Sequence, residues 1–265
     1  MKGDESSRAG EDELDDASEL DERLDEPASA SLDAPPVSPF DAGLGPWAVA
    51  AVATLLIGLA TWVGFDPEVQ GSASLLVVLG AAYLVLGAVS VVRLRARGEL
   101  SLLRPRSGDL SIGALVAFLL YGMAYAFHAL VTAPGNTGEG WIVRVYLMLG
   151  DPFSDGRHLV AISVAVIGAL EELCWRGLVF PALESRLGSL RAAVLSVLLF
   201  AAAHLPTLHR LADPTAGLNP LLVVAALGCG AAWTYLRWRV DRLVPVLLSH
   251  ALFTWAIVEF PLWIP

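Results

Sequence analysis

Seven apolar runs follow one another along the chain, at 47–65, 72–92, 111–132, 159–184, 190–204, 218–237 and 243–263. A helix of about 20 apolar residues spans roughly 30 Å of hydrocarbon. The pattern therefore predicts an all-α, polytopic transmembrane bundle of about seven or eight helices. The run 190–204 is short and is expected to start or stop in the headgroup zone. Residues 140–150 (GWIVRVYLMLG) are apolar but too short to span, and read as an interfacial segment anchored by Trp141 and Tyr146. Turn residues separate the runs at Pro134-Gly135, Asp151-Pro152 and Asp213-Pro214 through Gly217.

Composition agrees: 55% of residues are hydrophobic, 17% are charged, and the mean hydropathy is +0.62. The net charge of −10 is unevenly placed, because residues 1–42 hold 14 acidic and 3 basic residues of the chain's 27 and 17. That segment, rich in Asp, Glu, Ser, Ala and Pro, cannot bury enough surface to offset its ordering entropy, so a disordered acidic tail is expected. It lacks the basic start of a signal peptide, and no apolar run begins before Trp47. The expected organisation is a tail at 1–42, N-terminal transmembrane helices at 43–133, a link with the interfacial segment at 134–158, and core helices at 159–265. Arg93, Arg95, Arg97, Arg104 and Arg106, then Arg186 and Arg191, then Arg237, Arg239 and Arg242 crowd alternate links. The positive-inside rule then puts the N-terminus in the cytoplasm and the C-terminus outside. Cys174 and Cys229 both fall in apolar runs and carry no metal-type spacing.

Chemistry concentrates in the fourth run. Residues 159–170 read LVAISVAVIGAL without a charge, and Glu171-Glu172-Leu173-Cys174-Trp175-Arg176 follows. Charge at bilayer depth costs roughly 2.5–3.5 kcal/mol per residue on insertion scales, and defaults to function. Glu172 and Arg176 are four apart with the glutamate first, the favourable order for an intrahelical pair. Glu171 points about 100° away and has no partner in its own helix, which suits a general base. Two histidines lie at similar depth. His204 ends the string Phe200-Ala201-Ala202-Ala203-His204, and His250 is followed on the same face by Thr254. His128, His158 and His209 have no such company and read as structural or interfacial. A carboxylate and two imidazoles support either a glutamate that activates water beside an oxyanion site or a zinc site with ligands Glu171, His204 and His250. No HExxH and no GxSxG is present.

Glu171-Glu172-xxx-Arg176, Phe200-xxx-His204 and a later His250 resemble the CPBP family, which covers CAAX-processing proteases and bacteriocin-processing or self-immunity proteins, also called the ABI family. The resemblance covers roughly residues 159–255. It implies a multi-helix intramembrane endopeptidase in which Glu171 activates water, His204 assists, His250 serves the oxyanion hole, and Glu172 with Arg176 forms the supporting pair. No cofactor is required by that mechanism, with zinc the alternative. The implied partners are a membrane-associated peptide or protein substrate and the lipid bilayer, and no nucleic acid. The expected location is a bacterial inner (cell) membrane. The sequence departs from the family at Thr254, where Asn or Asp is usual. That departure keeps a second reading in play: a non-catalytic membrane binding or immunity protein using the same cavity. A transporter with Glu171 as proton relay is a third, and lacks an internal repeat or paired broken helices.

Overall fold

The computed structural model describes residues 45–263, so the acidic segment 1–42 lies outside the described residues. Among the described residues the chain is helical, and no strands form beyond an isolated bridge between Asp213 and Gly217. Helix α1 spans Pro46–Gly64, α2 Ser74–Ala96, α3 Asp109–Val131 and α4 Glu139–Leu149. Helix α5 spans Arg157–Cys174, passes through a π turn at Trp175–Val179, and continues as α6, Phe180–Leu187. Then come α7 (Ser189–Ala203), the short α8 (Thr207–Arg210), α9 (Leu221–Val240) and α10 (Val244–Glu259).

Among the described residues six helical stretches are long and apolar enough to cross a membrane: 46–64, 74–96, 109–131, 157–187, 189–210 and 221–240. With large apolar side chains such as Leu55, Phe118, Leu159 and Leu190 turned outward, this is the make-up of an integral membrane protein. The fifth run proves longer than its apolar residues suggest. His204 and Leu205 close 3₁₀-type bonds back to Ala201 and Ala202, and α8 carries the stretch on to Arg210. The seventh is shorter than the run 243–263: α10 stops at Glu259, and 16 residues rise only about 24 Å. Glu259 is held there by Arg157 at 3.2 Å and His158 at 3.0 Å, and Pro261 follows.

The segment read from the sequence as interfacial is α4, and the polar tips of its two aromatic residues meet protein. Trp141 donates its indole N–H to Ala216 O (3.2 Å), and the buried Tyr146 hydroxyl donates to Ile257 O (2.9 Å) while accepting from the Leu262 N–H. At the opposite, Arg-rich end, buried Asp109 takes the Arg106 backbone N–H at 2.8 Å and pairs with Arg242.

Helix α5 lies between α2 and α10, and α10 in turn packs on α3. Helices α5 and α10 run antiparallel: Arg157 meets Glu259 at one end, and Gly168 and Glu172 meet His250 further in. A Cβ on Gly168 would stand 3.0 Å from both His250 Cδ2 and Thr254 Oγ1, so only glycine permits this approach. Tyr83, Trp175, Phe200 and Trp233 meet in the core with Ile57, Ile167 and Val246.

Candidate active site

The charged cluster lies halfway along the 31-residue stretch Arg157–Leu187. The π turn begins within it, at Trp175. Trp175 N–H is shared between Glu171 O and Glu172 O, and Phe180 N–H reaches back five residues to Trp175 O. Pro181, which has no N–H to give, follows the turn. Single π turns are commonly found at functional sites, and here one delivers Arg176 into the bundle.

Glu172 and Arg176 are both fully buried and paired at 3.0 Å, as their spacing predicts. Arg176 also donates to Gly230 O at 2.7 Å and Thr234 Oγ1 at 3.2 Å, and its guanidinium lies 4.8 Å from the Phe200 ring centre. These contacts spread the positive charge over groups from three helices, the condition under which a buried ion is tolerated. Gly230 and Thr234 lie on one face of α9, and a Cβ at Gly230 would meet Phe200 at 2.8 Å.

Glu172 has a second partner that the sequence did not reveal. The oxygen that accepts from Arg176, Oε1, also lies 2.7 Å from His250 Nδ1. Oε1 is already an acceptor for the guanidinium, so Nδ1 is the donor of this bond. The ring is clamped by Trp233, stacked at 3.6 Å between centres and 17° between planes, whose own N–H donates to Ser249 Oγ. His250 Nε2 is thereby turned toward Glu171, 4.0 Å from Oε2. Glu171 retains 13% side-chain exposure, against none for Glu172, so it is the glutamate that a solvent molecule can approach.

His204 stands against Phe200, ring centres 4.8 Å apart, and its Nδ1 lies 2.8 Å from Phe200 O. A carbonyl only accepts, so Nδ1 carries a proton and Nε2 of the neutral ring is a free acceptor. Phe200 reaches the cluster through Trp175, 5.4 Å away edge-on, and through Arg176. Glu171 and His250 are thus brought together directly, whereas His204 contacts Phe200, whose ring in turn meets Trp175 and Arg176. Thr254 does not present a donor: its hydroxyl donates to His250 O at 3.0 Å, with Ala251 O at 3.3 Å. Among the described residues no three His, Cys, Asp or Glu side chains are grouped to hold a metal ion, so Glu171, His204 and His250 do not fit a zinc site as they stand. An apolar groove of about 280 Å³ between α3 and α10, lined by Ala117, Phe118, Tyr121, Leu252, Ala256 and Phe260, is separate from the site.

Sequence reasoning missed Trp233, Thr234 and Gly230. The available signal was their i, i+3, i+4 spacing on one face of an apolar helix beside a small residue.

Residues 155–256 match the family described as Type II CAAX prenyl endopeptidase Rce1-like. The match takes in the whole charged cluster, His204 and His250, and leaves α1 to α4 outside. No curated protein and no solved structure matches the chain.

Proposed function

We propose that this protein is an intramembrane protease of the CAAX type that hydrolyses a peptide bond of a membrane-associated protein or peptide, with Glu171 as the base. The family match over 155–256 supports a protease of this general kind. The observation that carries the assignment of roles is the division of labour between adjacent glutamates: Glu172 is fully buried with its Oε1 held by both Arg176 and His250, and Glu171 is left partly open.

The steps follow from the hydrogen-bond partners. Glu171 takes a proton from water, and the hydroxide oxygen adds to the scissile carbonyl carbon. The displaced electron pair collects on the carbonyl oxygen, which needs donors. His250 Nδ1–H is committed to Glu172, so Nε2 donates only from the doubly protonated ring. His204, with Nδ1 held by Phe200 O, orients water or the leaving amine through Nε2. Glu171 then returns its proton to the amine as the C–N bond breaks. The Arg-rich links support a cytoplasmic N-terminus.

The test is purified protein with a panel of membrane-tethered peptides, comparing wild type with Glu171→Ala and His204→Ala. Cleavage that is equal in all three sinks the assignment. Loss of activity on chelation and its return with zinc would replace the metal-free version. A non-catalytic binding or immunity role is the second reading, and one observation favours it: the Thr254 hydroxyl, where the family carries Asn or Asp, is turned onto the backbone. Peptide binding without cleavage by wild type would establish it.

A further inference from the structure

Helix α2 lies outside the segment that matches the family, yet it sends a polar group to the cluster. Gly80 and Gly87 lie on its α5-facing side, where a Cβ would meet Ile167 at 3.8 Å and Leu170 at 3.3 Å. Tyr83, between them in the same register, is set at the level of Glu171. It is 1% exposed, and its hydroxyl has no hydrogen-bond partner among the described residues. The indole N–H of Trp175, a fully buried residue, has none either. Tyr83 and Trp175 belong to one buried cluster, neither polar group finds a partner by hydrogen-bond geometry, and Trp175 follows Glu171 by one helical turn.

Two buried, unsatisfied polar groups side by side are rare and require an explanation. Two adjacent helices supply them here, beside a carboxylate that the rest of the site leaves open. A buried water needs two to four polar partners, and this corner offers three. We propose that Tyr83 Oη, Trp175 Nε1–H and the Glu171 carboxylate form the cradle of the attacking water, making Tyr83 and Trp175 further residues of the site. The inference rests on the peptidase reading above. The water gives one hydrogen to Glu171 and the other to Tyr83 Oη, and accepts from the Trp175 N–H. Its remaining lone pair faces the carbonyl carbon. On attack the C–O bond forms, the proton shared with Glu171 passes to the carboxylate, and the carbonyl π pair moves onto oxygen. Collapse breaks the C–N bond, with that proton leaving on the amine. The result is hydrolysis with one water consumed.

The experiment uses the full chain in lipid nanodiscs with a membrane-tethered fluorogenic peptide, and compares wild type, Tyr83→Phe, Trp175→Phe and Glu171→Gln. Tyr83→Phe keeps the ring and its packing, so the expected result is kcat lower by about 10- to 100-fold, below the roughly 10²–10⁴ of a proton-transferring group because Tyr83 orients the water without taking its proton. KM should stay within about twofold, since no substrate contact is removed, and the unfolding midpoint should not fall. Trp175→Phe should lower kcat in the same way. A readout independent of turnover is the infrared carboxyl band of Glu171, identified as the band lost in Glu171→Gln. It is expected to shift in Tyr83→Phe, because the bridging water is lost. Wild-type kcat in Tyr83→Phe alongside an inactive Glu171→Gln overturns the cradle and leaves the peptidase reading intact. An unshifted band overturns the cradle whatever the kinetics. A fully active Glu171→Gln removes the peptidase reading itself.

Discussion

Replacing Arg176 by Met tests the buried network most directly. The arginine makes the 3.0 Å pair with Glu172, the bonds to Gly230 O and Thr234 Oγ1, and the contact with Phe200. Methionine keeps much of the volume and removes every polar contact. Glu172 would then have His250 as its sole partner, and its Oε2 is already without one. Removing one member of a buried pair costs about 3–5 kcal/mol, because the other charge stays behind uncompensated. At about 2–4 °C per kcal/mol for a chain of this size, the unfolding midpoint should fall by about 6–20 °C. The assay is built in: Cys174 is buried and Cys229 half-buried, so a thiol-reactive fluorophore reports unfolding in detergent. The double replacement Glu172→Leu with Arg176→Met removes both charges and should regain most of the lost stability. It should remain inactive, because His250 Nδ1 has lost its acceptor. A midpoint for Arg176→Met within about 2 °C of wild type would refute the reasoning, since a fall of about 6 °C is the least it allows.

Gly168→Ala should place a methyl 3.0 Å from His250 and Thr254, lowering stability by about 1–3 kcal/mol and kcat with it; a thermal melt and a peptide assay check both. Thr254→Val should change kcat by less than about threefold, against the 10²–10³ expected for a lost oxyanion donor, because that hydroxyl is spent on His250 O. Asp213 is held below the usual carboxylate range by the Ala216 and Thr215 N–H groups, with Arg144 adding to them. A depressed folded-state value stabilises the fold above the unfolded value of about 4 and ceases to do so as pH falls through the folded value. Unfolding midpoints followed downward from pH 5 should fall less in Asp213→Asn than in wild type.

The helices were legible because their burial against lipid writes long apolar runs into the chain, and the Glu172–Arg176 pair was legible because both ends share one helix. The contact between Glu172 and His250 was not, since the residues are 78 apart and spacing along a helix says nothing about which helix lies opposite. Tyr83 was invisible for the same reason, and so was the π turn, which needs coordinates to distinguish it from an ordinary turn. Thr254 could be read as a departure at a known position, but the direction of its hydroxyl could not. Trp141 and Tyr146 show the reverse error: an aromatic beside an apolar segment suits a lipid interface, yet their polar tips close onto Ala216 and Ile257.

The stacking of Trp233 on His250 has an optical consequence. An indole lying 3.6 Å from an imidazole changes its emission when that ring gains a proton, because the cation draws on the aromatic face. The protein therefore carries its own fluorophore against the histidine assigned to the oxyanion. With the other tryptophans replaced by phenylalanine, Trp233 emission would follow the charge on His250 in real time, in a lipid bilayer and without any substrate.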